Sequence, residues 1–100
     1  MPRTVQLRRY TVTPELVDEF LTWWSDRLLP ARIAFGFTLE FAVMDRASSV
    51  FTWAVSLPTD AAGFVAQDEE WAVSPGRMDA LRGTRQRVVA MENTLVEKLG

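Results

Sequence analysis

Apolar and polar residues at the start of this chain alternate in the manner of a strand and then change to the spacing of a helix. Val5 and Leu7 alternate with Gln6 and Arg8, a period of two that is typical of a strand. Thr13-Pro14-Glu15 follows at once and supplies an N-cap hydroxyl, a proline at the first helical position and an acid in the first turn. The pattern predicts a strand that leads without a linker into a helix.

The first helix is predicted from Pro14 to about Phe35. Its apolar residues recur at three-and-four spacing and form one buried stripe: Val17, Phe20, Leu21, Trp24 and Leu28. Pro30 should kink or end the last turn, because proline has no backbone N–H and its ring clashes with the preceding turn. Gly36 is a plausible C-cap glycine.

Two strands are predicted next, joined as a hairpin. Residues 37–44 alternate with a period of two, residues 45–49 form a polar turn, and the third strand runs from Val50 to Leu57. Thr59-Asp60 then caps a second helix through about Trp71. A short helical piece follows from Arg77 to Leu81, and a fourth strand, which also tolerates helix, is predicted from about Gln86 to Lys98.

This order of elements, βαββαβ, predicts an α+β ferredoxin-like fold in one domain spanning residues 1–100. Such a protomer has a four-stranded antiparallel sheet with both helices on one face. The odd-numbered strand residues are expected to face the helices: Leu7, Phe37, Leu39, Phe41, Phe51, Trp53, Val55 and Leu57. The even-numbered ones are expected on the other face: Gln6, Arg8, Tyr10, Thr38, Glu40, Ala42, Thr52, Ala54, Ser56, Glu92 and Thr94. That face either meets solvent or packs on a second copy across a two-fold axis.

The amino-acid composition excludes several common kinds of catalytic and metal-binding site. The chain has 100 residues with 48% hydrophobic content, and it contains neither cysteine nor histidine. Disulfides, thiol catalysis, zinc sites of the usual kinds and serine–histidine triads are therefore improbable, and no metal or cofactor is predicted. Ten arginines and one lysine are dispersed along a chain of net charge −2, so no basic stripe indicates nucleic-acid binding.

No segment of the sequence predicts a membrane association. The longest uncharged apolar stretch, residues 34–39, is far shorter than the roughly 20 residues that span a bilayer. No secretory signal precedes the first strand, so the expected compartment is the cytoplasm. The eleven aromatic residues indicate extra buried apolar surface, and an interface with a partner subunit is one place for it.

Several short motifs together resemble the NIPSNAP family of dimeric α/β-barrel proteins, over most of the chain up to about Leu81. They comprise Leu7-Arg8-Arg9-Tyr10-Thr11-Val12 followed by Pro14, then Leu29-Pro30, Gly36-Phe37, Phe51-Thr52-Trp53 and an alanine-rich helix ending at Trp71. Three positions depart from the family pattern. The glycine that often follows the proline is Glu15 here, the glycine and tryptophan that commonly follow the second strand are missing around residues 42–44, and the arginine usual in the second helix has no counterpart at residues 61–63. The resemblance implies a homodimer of ferredoxin-like protomers. It implies no single reaction, because the wider superfamily contains oxygenases, isomerases, cyclases and proteins without a known reaction.

The candidate catalytic residues lie on the first and fourth strands. Arg8 is expected to hold a carboxylate or a developing oxyanion, Tyr10 to donate a hydrogen bond, and Glu92 to move a proton. Glu40, on the outer second strand, is a candidate substrate-binding residue. The alternative is an interfacial ion pair that fixes the register of the dimer, and structural ion-pair networks are the commoner cause of such clusters.

Three further residues are candidates for substrate binding. Trp23 lies about 100° round the helix from Trp24, which places it at a pocket rim or a dimer contact. Trp53 either lines an aromatic pocket or belongs to the core. Asn93 is a lone amide in apolar company that either orients an oxygen atom or satisfies a backbone group.

The resemblance, taken together with the polar cluster beside aromatic residues, implies two alternative functions. One is a cofactor-independent oxygenase, isomerase or cyclase acting on a hydrophobic aromatic or polyketide-like metabolite. The other is a non-catalytic homodimer that binds a small hydrophobic ligand or serves as a scaffold.

Overall fold

Four antiparallel strands form a sheet in the spatial order β2-β3-β1-β4 in the computed structural model, which describes residues 2–100. The strands are β1 Thr4–Val12, β2 Thr38–Asp45, β3 Val50–Leu57 and β4 Val88–Glu97. The α-helices are α1 Val17–Trp23, α2 Leu29–Ala34, α3 Ala61–Ala72 and α4 Pro75–Leu81. The predicted ferredoxin-like α+β fold is confirmed, including the fourth strand.

The first helix is continuous through residues 14–34 but widens in its middle. It begins with a 3₁₀ turn at Pro14–Leu16, and a π-helical segment, Trp24–Leu28, separates α1 from α2. The N–H of Leu29 donates to the carbonyl of Trp24, five residues earlier. Pro30 can donate no such bond, and the wider turn accommodates its ring without breaking the helix.

Side-chain caps begin the two later helices. Asp60 accepts a hydrogen bond from the N–H of Gly63 at 2.9 Å, and Ser74 accepts one from the N–H of Arg77 at 3.2 Å. The cap by Asp60 was predicted from the sequence. Such caps satisfy N–H groups that have no partner within the helix.

Strand pairing corrects the predicted facing of β1. Arg8 lies opposite Trp53, and Tyr10 lies opposite Phe51, so even-numbered residues of β1 share a face with odd-numbered residues of β3. Tyr10 packs edge-on against Phe20 and is 3% exposed. The prediction that Arg8 and Tyr10 point away from the helices was wrong. It assumed that odd-numbered residues face the helices in every strand, whereas in β1 the even-numbered residues do so.

A bulge in β2 corrects a second expectation. Leu39 pairs with Val55 on the helix side, whereas Phe41 pairs with Ala54, so the register shifts at Glu40. Phe41 therefore lies on the face away from the helices, as does Leu7, which also pairs with Ala54. Both had been predicted in the core. The inserted residue in β2 reverses the facing of Phe41, whereas Leu7 faces outward because of the register of β1 against β3.

The sheet has one covered and one open face. The aromatic rings of Phe20, Trp24, Phe51 and Trp53 pack at centroid distances of 4.9 to 6.5 Å between helix and sheet. The open face carries exposed apolar side chains, which include Phe41, Val43 and Val96. Among the described residues no helix is long and apolar enough to cross a membrane.

Candidate functional site

A cavity of about 380 Å³ lies between the sheet and the helices. Its wall is formed by β1, β4, the first helical run, α3, α4 and the residues 84–87 that precede β4. The aromatic side chains of this wall are Tyr10, Phe20, Trp23 and Trp71, and the cationic ones are Arg8, Arg32, Arg77, Arg85 and Arg87. None of the wall residues found within residues 2–100 carries a carboxylate. The cavity therefore combines flat apolar surfaces with positive charge.

Arg8 and Tyr10 form a hydrogen-bonded pair in the wall. The Nε of Arg8 donates to the Tyr10 hydroxyl at 2.8 Å, and Nη1 donates to the side-chain oxygen of Gln6. Strand geometry explains the arrangement, because residues 6, 8 and 10 of one strand point to the same face. Since Tyr10 is the acceptor in this bond, its own hydroxyl proton remains available to a ligand.

Arg32 brings a second buried guanidinium to the cavity. It is 3% exposed, and its Nη1 donates to Asp68 at 3.1 Å. Its guanidinium carbon lies 4.6 Å from the ring centroid of Phe37 and 4.8 Å from that of Trp71. Burial, followed by repulsion from Arg8, lowers the pKa of Arg32 to about 10, so the group is still a cation at neutral pH.

The two candidate tryptophans have different places. Trp23 lies in the cavity wall, donates from Nε1 to the carbonyl of Ala80 at 2.8 Å, and has the guanidinium of Arg87 5.6 Å from its ring centroid. The predicted position of Trp23 at a pocket rim fits this geometry. Trp53 is fully buried in the core below the cavity, close to Arg8 and Arg32.

An ion-pair clasp, which we define as Glu19, Arg85 and Arg87, lies beside the cavity and includes two of its wall residues, Arg85 and Arg87. The Glu19 carboxylate accepts from Arg85 at 2.7 and 2.8 Å and from Arg87 at 2.6 Å. These hydrogen bonds, that from Arg85 first, lower the pKa of Glu19 to about 2. The clasp fastens residues 84–87 to α1 beside Trp23.

Glu92 does not join Arg8 and Tyr10. It pairs with Arg9, so it lies on the open face of the sheet, whereas Asn93 pairs with Arg8 and Met91 pairs with Tyr10 on the helix side. The predicted convergence of Glu92 with Arg8 and Tyr10 was therefore wrong. Asn93 lies on the expected face of β4, but its side chain is exposed instead of buried.

Glu40 belongs to a polar network away from the cavity. Its carboxylate accepts hydrogen bonds from Lys98 at 2.8 Å and from Ser56 at 2.6 Å, and Arg3 lies 3.5 Å away. The bond from Lys98, followed by that from Ser56, lowers the pKa of Glu40. This network joins both edges of the sheet to β3, and the predicted substrate-binding role of Glu40 finds no support in it.

Arg32 was missed in the sequence, although the pattern contained a signal. Phe20, Trp24, Leu28 and Arg32 recur every four residues, and all four are buried. An arginine at the next position of an apolar stripe marks either a buried ion pair or a polar site.

Within residues 2–100, no cluster of three or more metal-ligating side chains is present.

Comparison with known proteins identifies the fold. No sequence model of a protein family and no curated protein sequence matches this chain. Among solved structures, an uncharacterised NIPSNAP domain protein from Burkholderia xenovorans is 19% identical, with a TM-score of 0.79 over 93% of this chain and 91% of that one. A NIPSNAP-like domain protein from the same organism is 15% identical, with a TM-score of 0.81 over 97% and 85%.

A second group of similar structures has another description. A candidate antibiotic biosynthesis monooxygenase from Chloroflexus aurantiacus is 13% identical, with a TM-score of 0.70 over 98% of this chain and 94% of that one. Identities this low establish the fold alone. The chain thus has the ferredoxin-like fold found in solved NIPSNAP family structures, as its sequence motifs had indicated.

Proposed function

We propose that this protein is a NIPSNAP-like homodimer whose cavity binds a small, flat, hydrophobic metabolite of aromatic or polyketide type. The observation that carries the proposal is the cavity of about 380 Å³, walled by Tyr10, Phe20, Trp23 and Trp71. A volume of this size suits a ligand of two or three fused rings, and pockets of this kind are commonly apolar with a few polar groups that fix orientation.

A substitution that fills the cavity tests whether the ligand binds there. Leu81 lies in the wall, so Leu81→Trp places a bulky ring in the space, whereas Met78 on the same helix is exposed and outside the wall. With 1-naphthamide as a neutral flat probe, we expect Leu81→Trp to weaken binding about tenfold and Met78→Trp to leave it unchanged. Titration calorimetry measures both. Equal affinity of Leu81→Trp and the wild type would contradict binding in this cavity.

A catalytic version of the proposal is favoured by the Arg8–Tyr10 pair. Oxygenation, isomerisation and cyclisation of polyketide-like molecules commonly develop negative charge on a substrate oxygen. A fixed guanidinium beside a hydroxyl that can still donate its proton stabilises such charge. This version describes a cofactor-independent enzyme, and it is consistent with the fold shared with the candidate monooxygenase.

Oxygen uptake with a hydroxyanthrone substrate distinguishes the enzyme from a binding protein. Tyr10→Phe removes only the hydroxyl, and we expect the rate to fall about 100-fold or more, the range seen when one oxyanion-stabilising donor is lost. Wild-type protein that binds the substrate without consuming oxygen or converting it indicates the non-catalytic alternative. Retention of the full rate in Tyr10→Phe would argue against the role given to Tyr10.

The homodimer in the proposal is supported by the open face of the sheet. Leu7, Phe41, Val43, Ala54 and Val96 lie on it, and three of these apolar side chains are exposed. Such a face is shielded from water when two sheets pack together about 10 Å apart. Two copies related by a two-fold axis each supply the same patch.

A further inference from the structure

We infer that the inner end of the cavity is a carboxylate site formed by Arg8 and Arg32, so that the metabolite bound there is an organic acid. The inference rests on the proposed function and narrows it to one class of ligand. The hydrophobic body would lie against the aromatic wall, and its carboxylate would lie between the two guanidinium groups.

Arg8 is buried without an opposite charge. It is 8% exposed, and among residues 2–100 it makes no ion pair. Its hydrogen-bond partners are all neutral: the Tyr10 hydroxyl, the Gln6 amide oxygen, and the Met91 thioether at 3.8 Å. A thioether is a weak acceptor, so Nη2 has only a poor partner where a carboxylate oxygen would normally lie.

Arg32 is only partly satisfied. Asp68 engages its Nη1 and keeps 31% of its own side chain exposed. The Nε of Arg32 is buried and has no hydrogen-bond partner within residues 2–100. Arg8 and Arg32 thus share a single ion-pairing carboxylate in this part of the protein, which leaves one positive charge uncompensated.

The two guanidinium groups lie beside the same aromatic ring and in the wall of the same cavity. Their central carbons lie 5.4 Å and 5.8 Å from the ring centroid of Trp53, and both side chains reach the cavity wall. Contact with aromatic faces offsets part of the cost of burying the two cations. A carboxylate in the cavity would supply the missing negative charge and the missing acceptors, since a guanidinium donates to a carboxylate through two parallel bonds.

Charge at the mouth favours the same ligand. Arg77, Arg85 and Arg87 lie in the wall, and Glu19 is the carboxylate that pairs with the last two. Positive charge that lines a cleft raises the local concentration of anions and speeds their entry.

Matched probes test the site. 1-Naphthoate and 1-naphthamide have nearly the same shape, but only the first is an anion at pH 7. We expect the wild type to bind the naphthoate at least about tenfold more tightly, as charge-assisted hydrogen bonds would provide. Arg8→Gln should reduce that ratio to about one, and Arg8→Lys, which keeps the charge without the fork, should retain part of it. Arg46→Gln removes an exposed arginine in the β2–β3 turn and should leave the ratio unchanged.

The possible results separate this inference from the proposed function. Equal wild-type affinity for the two probes would overturn the carboxylate site and leave the hydrophobic cavity intact. A naphthoate preference that persists in Arg8→Gln, or that disappears in Arg46→Gln, would also overturn it. Failure of the wild type to bind either probe at millimolar concentration would refute the proposed function, and the carboxylate site with it. If Arg8→Gln does not fold, the affinity ratio of the two probes is compared between Arg8→Lys and the wild type, because Arg8→Lys keeps the charge and should show a smaller ratio.

Discussion

Two adjacent arginines of β1 have different environments because they point to opposite faces of the sheet. Arg8 and Arg9 are neighbours in β1, yet Arg8 is buried against Trp53 and Arg9 is exposed on the open face. Alternation along a strand is sufficient to separate them. The same reason places Glu92 on the open face with Arg9 and leaves the cavity without a carboxylate from β4.

Asp68 tests the charge balance around Arg32. Asp68→Asn removes the carboxylate that Arg32 contacts at 3.1 Å and leaves its buried guanidinium without a counterion. We expect the free energy of unfolding to fall by about 1–2 kcal/mol, a modest figure because part of Asp68 is exposed. Urea denaturation measures the change.

Glu69→Gln is the matched control, since Glu69 is exposed on the same helix and makes no ion pair within residues 2–100. The urea concentration at the midpoint of unfolding should be the same for Glu69→Gln as for the wild type. A midpoint for Asp68→Asn that also equals the wild type would show that Arg32 needs no counterion.

At the level of elements, the structure depends on how the segment before β4 is attached to α1. The clasp of Glu19, Arg85 and Arg87 is the connection, and Arg87 also lies over Trp23. Because the pKa of Glu19 is lowered to about 2, its contribution to stability is complete above the ordinary value of 4.5. That contribution is lost as the pH falls from 4.5 to about 2, so the clasp is fully formed at neutral pH.

Glu19→Gln should loosen this segment. The variant removes the charge that both arginines contact, so we expect trypsin to cleave after Arg85 and Arg87 several-fold faster than in the wild type. Mass spectrometry of timed digests identifies the sites. In Glu15→Gln, which changes an exposed acid in the preceding turn, cleavage should be unchanged. An unaltered rate in Glu19→Gln would mean that backbone hydrogen bonds alone hold the segment.

At the scale of the whole molecule, one sheet face is covered by helices and the other lies open. The open face carries apolar side chains from all four strands, and in β4 most side chains are exposed. A 100-residue chain has a limited core, so burial of this face between two copies would add substantially to its stability. The proposed homodimer depends on this face.

A charge on the open face should separate the copies. Val43 is 57% exposed and is a β2 member of the apolar patch, so Val43→Asp places a carboxylate where the two sheets would meet. Light scattering after gel filtration should give about twice 11.3 kDa for the wild type and the monomer mass for the variant.

The exposed Val73, at the end of α3 and away from the open face, provides the control. Val73→Asp should keep the wild-type mass. A monomeric wild type at micromolar concentration would exclude this interface.

The sequence alone was sufficient for the order and type of the elements. Period-two runs, the helix start at Pro14 and the Asp60 cap depend on residues close in the sequence, so the sequence alone can predict them. The predicted cap by the Thr13 hydroxyl was wrong: that side chain makes no capping hydrogen bond, and the backbone carbonyl of Thr13 accepts from the N–H of Leu16. Helical angles follow from spacing, so the sequence could also separate Trp23 from the centre of the buried stripe that contains Trp24. The alanine-rich second helix and the β2–β3 hairpin were predicted on similar grounds.

Only the tertiary structure decided which residues meet in the cavity. The register between β1 and β3 put Arg8 and Tyr10 on the helix side, and the bulge at Glu40 turned Phe41 outward. Register is set by pairing between distant strands, and a shift of one residue exchanges the two faces. Arg32 and Arg8 share the cavity wall and the neighbourhood of Trp53 only because the helix packs across the sheet, and no local pattern encodes that packing.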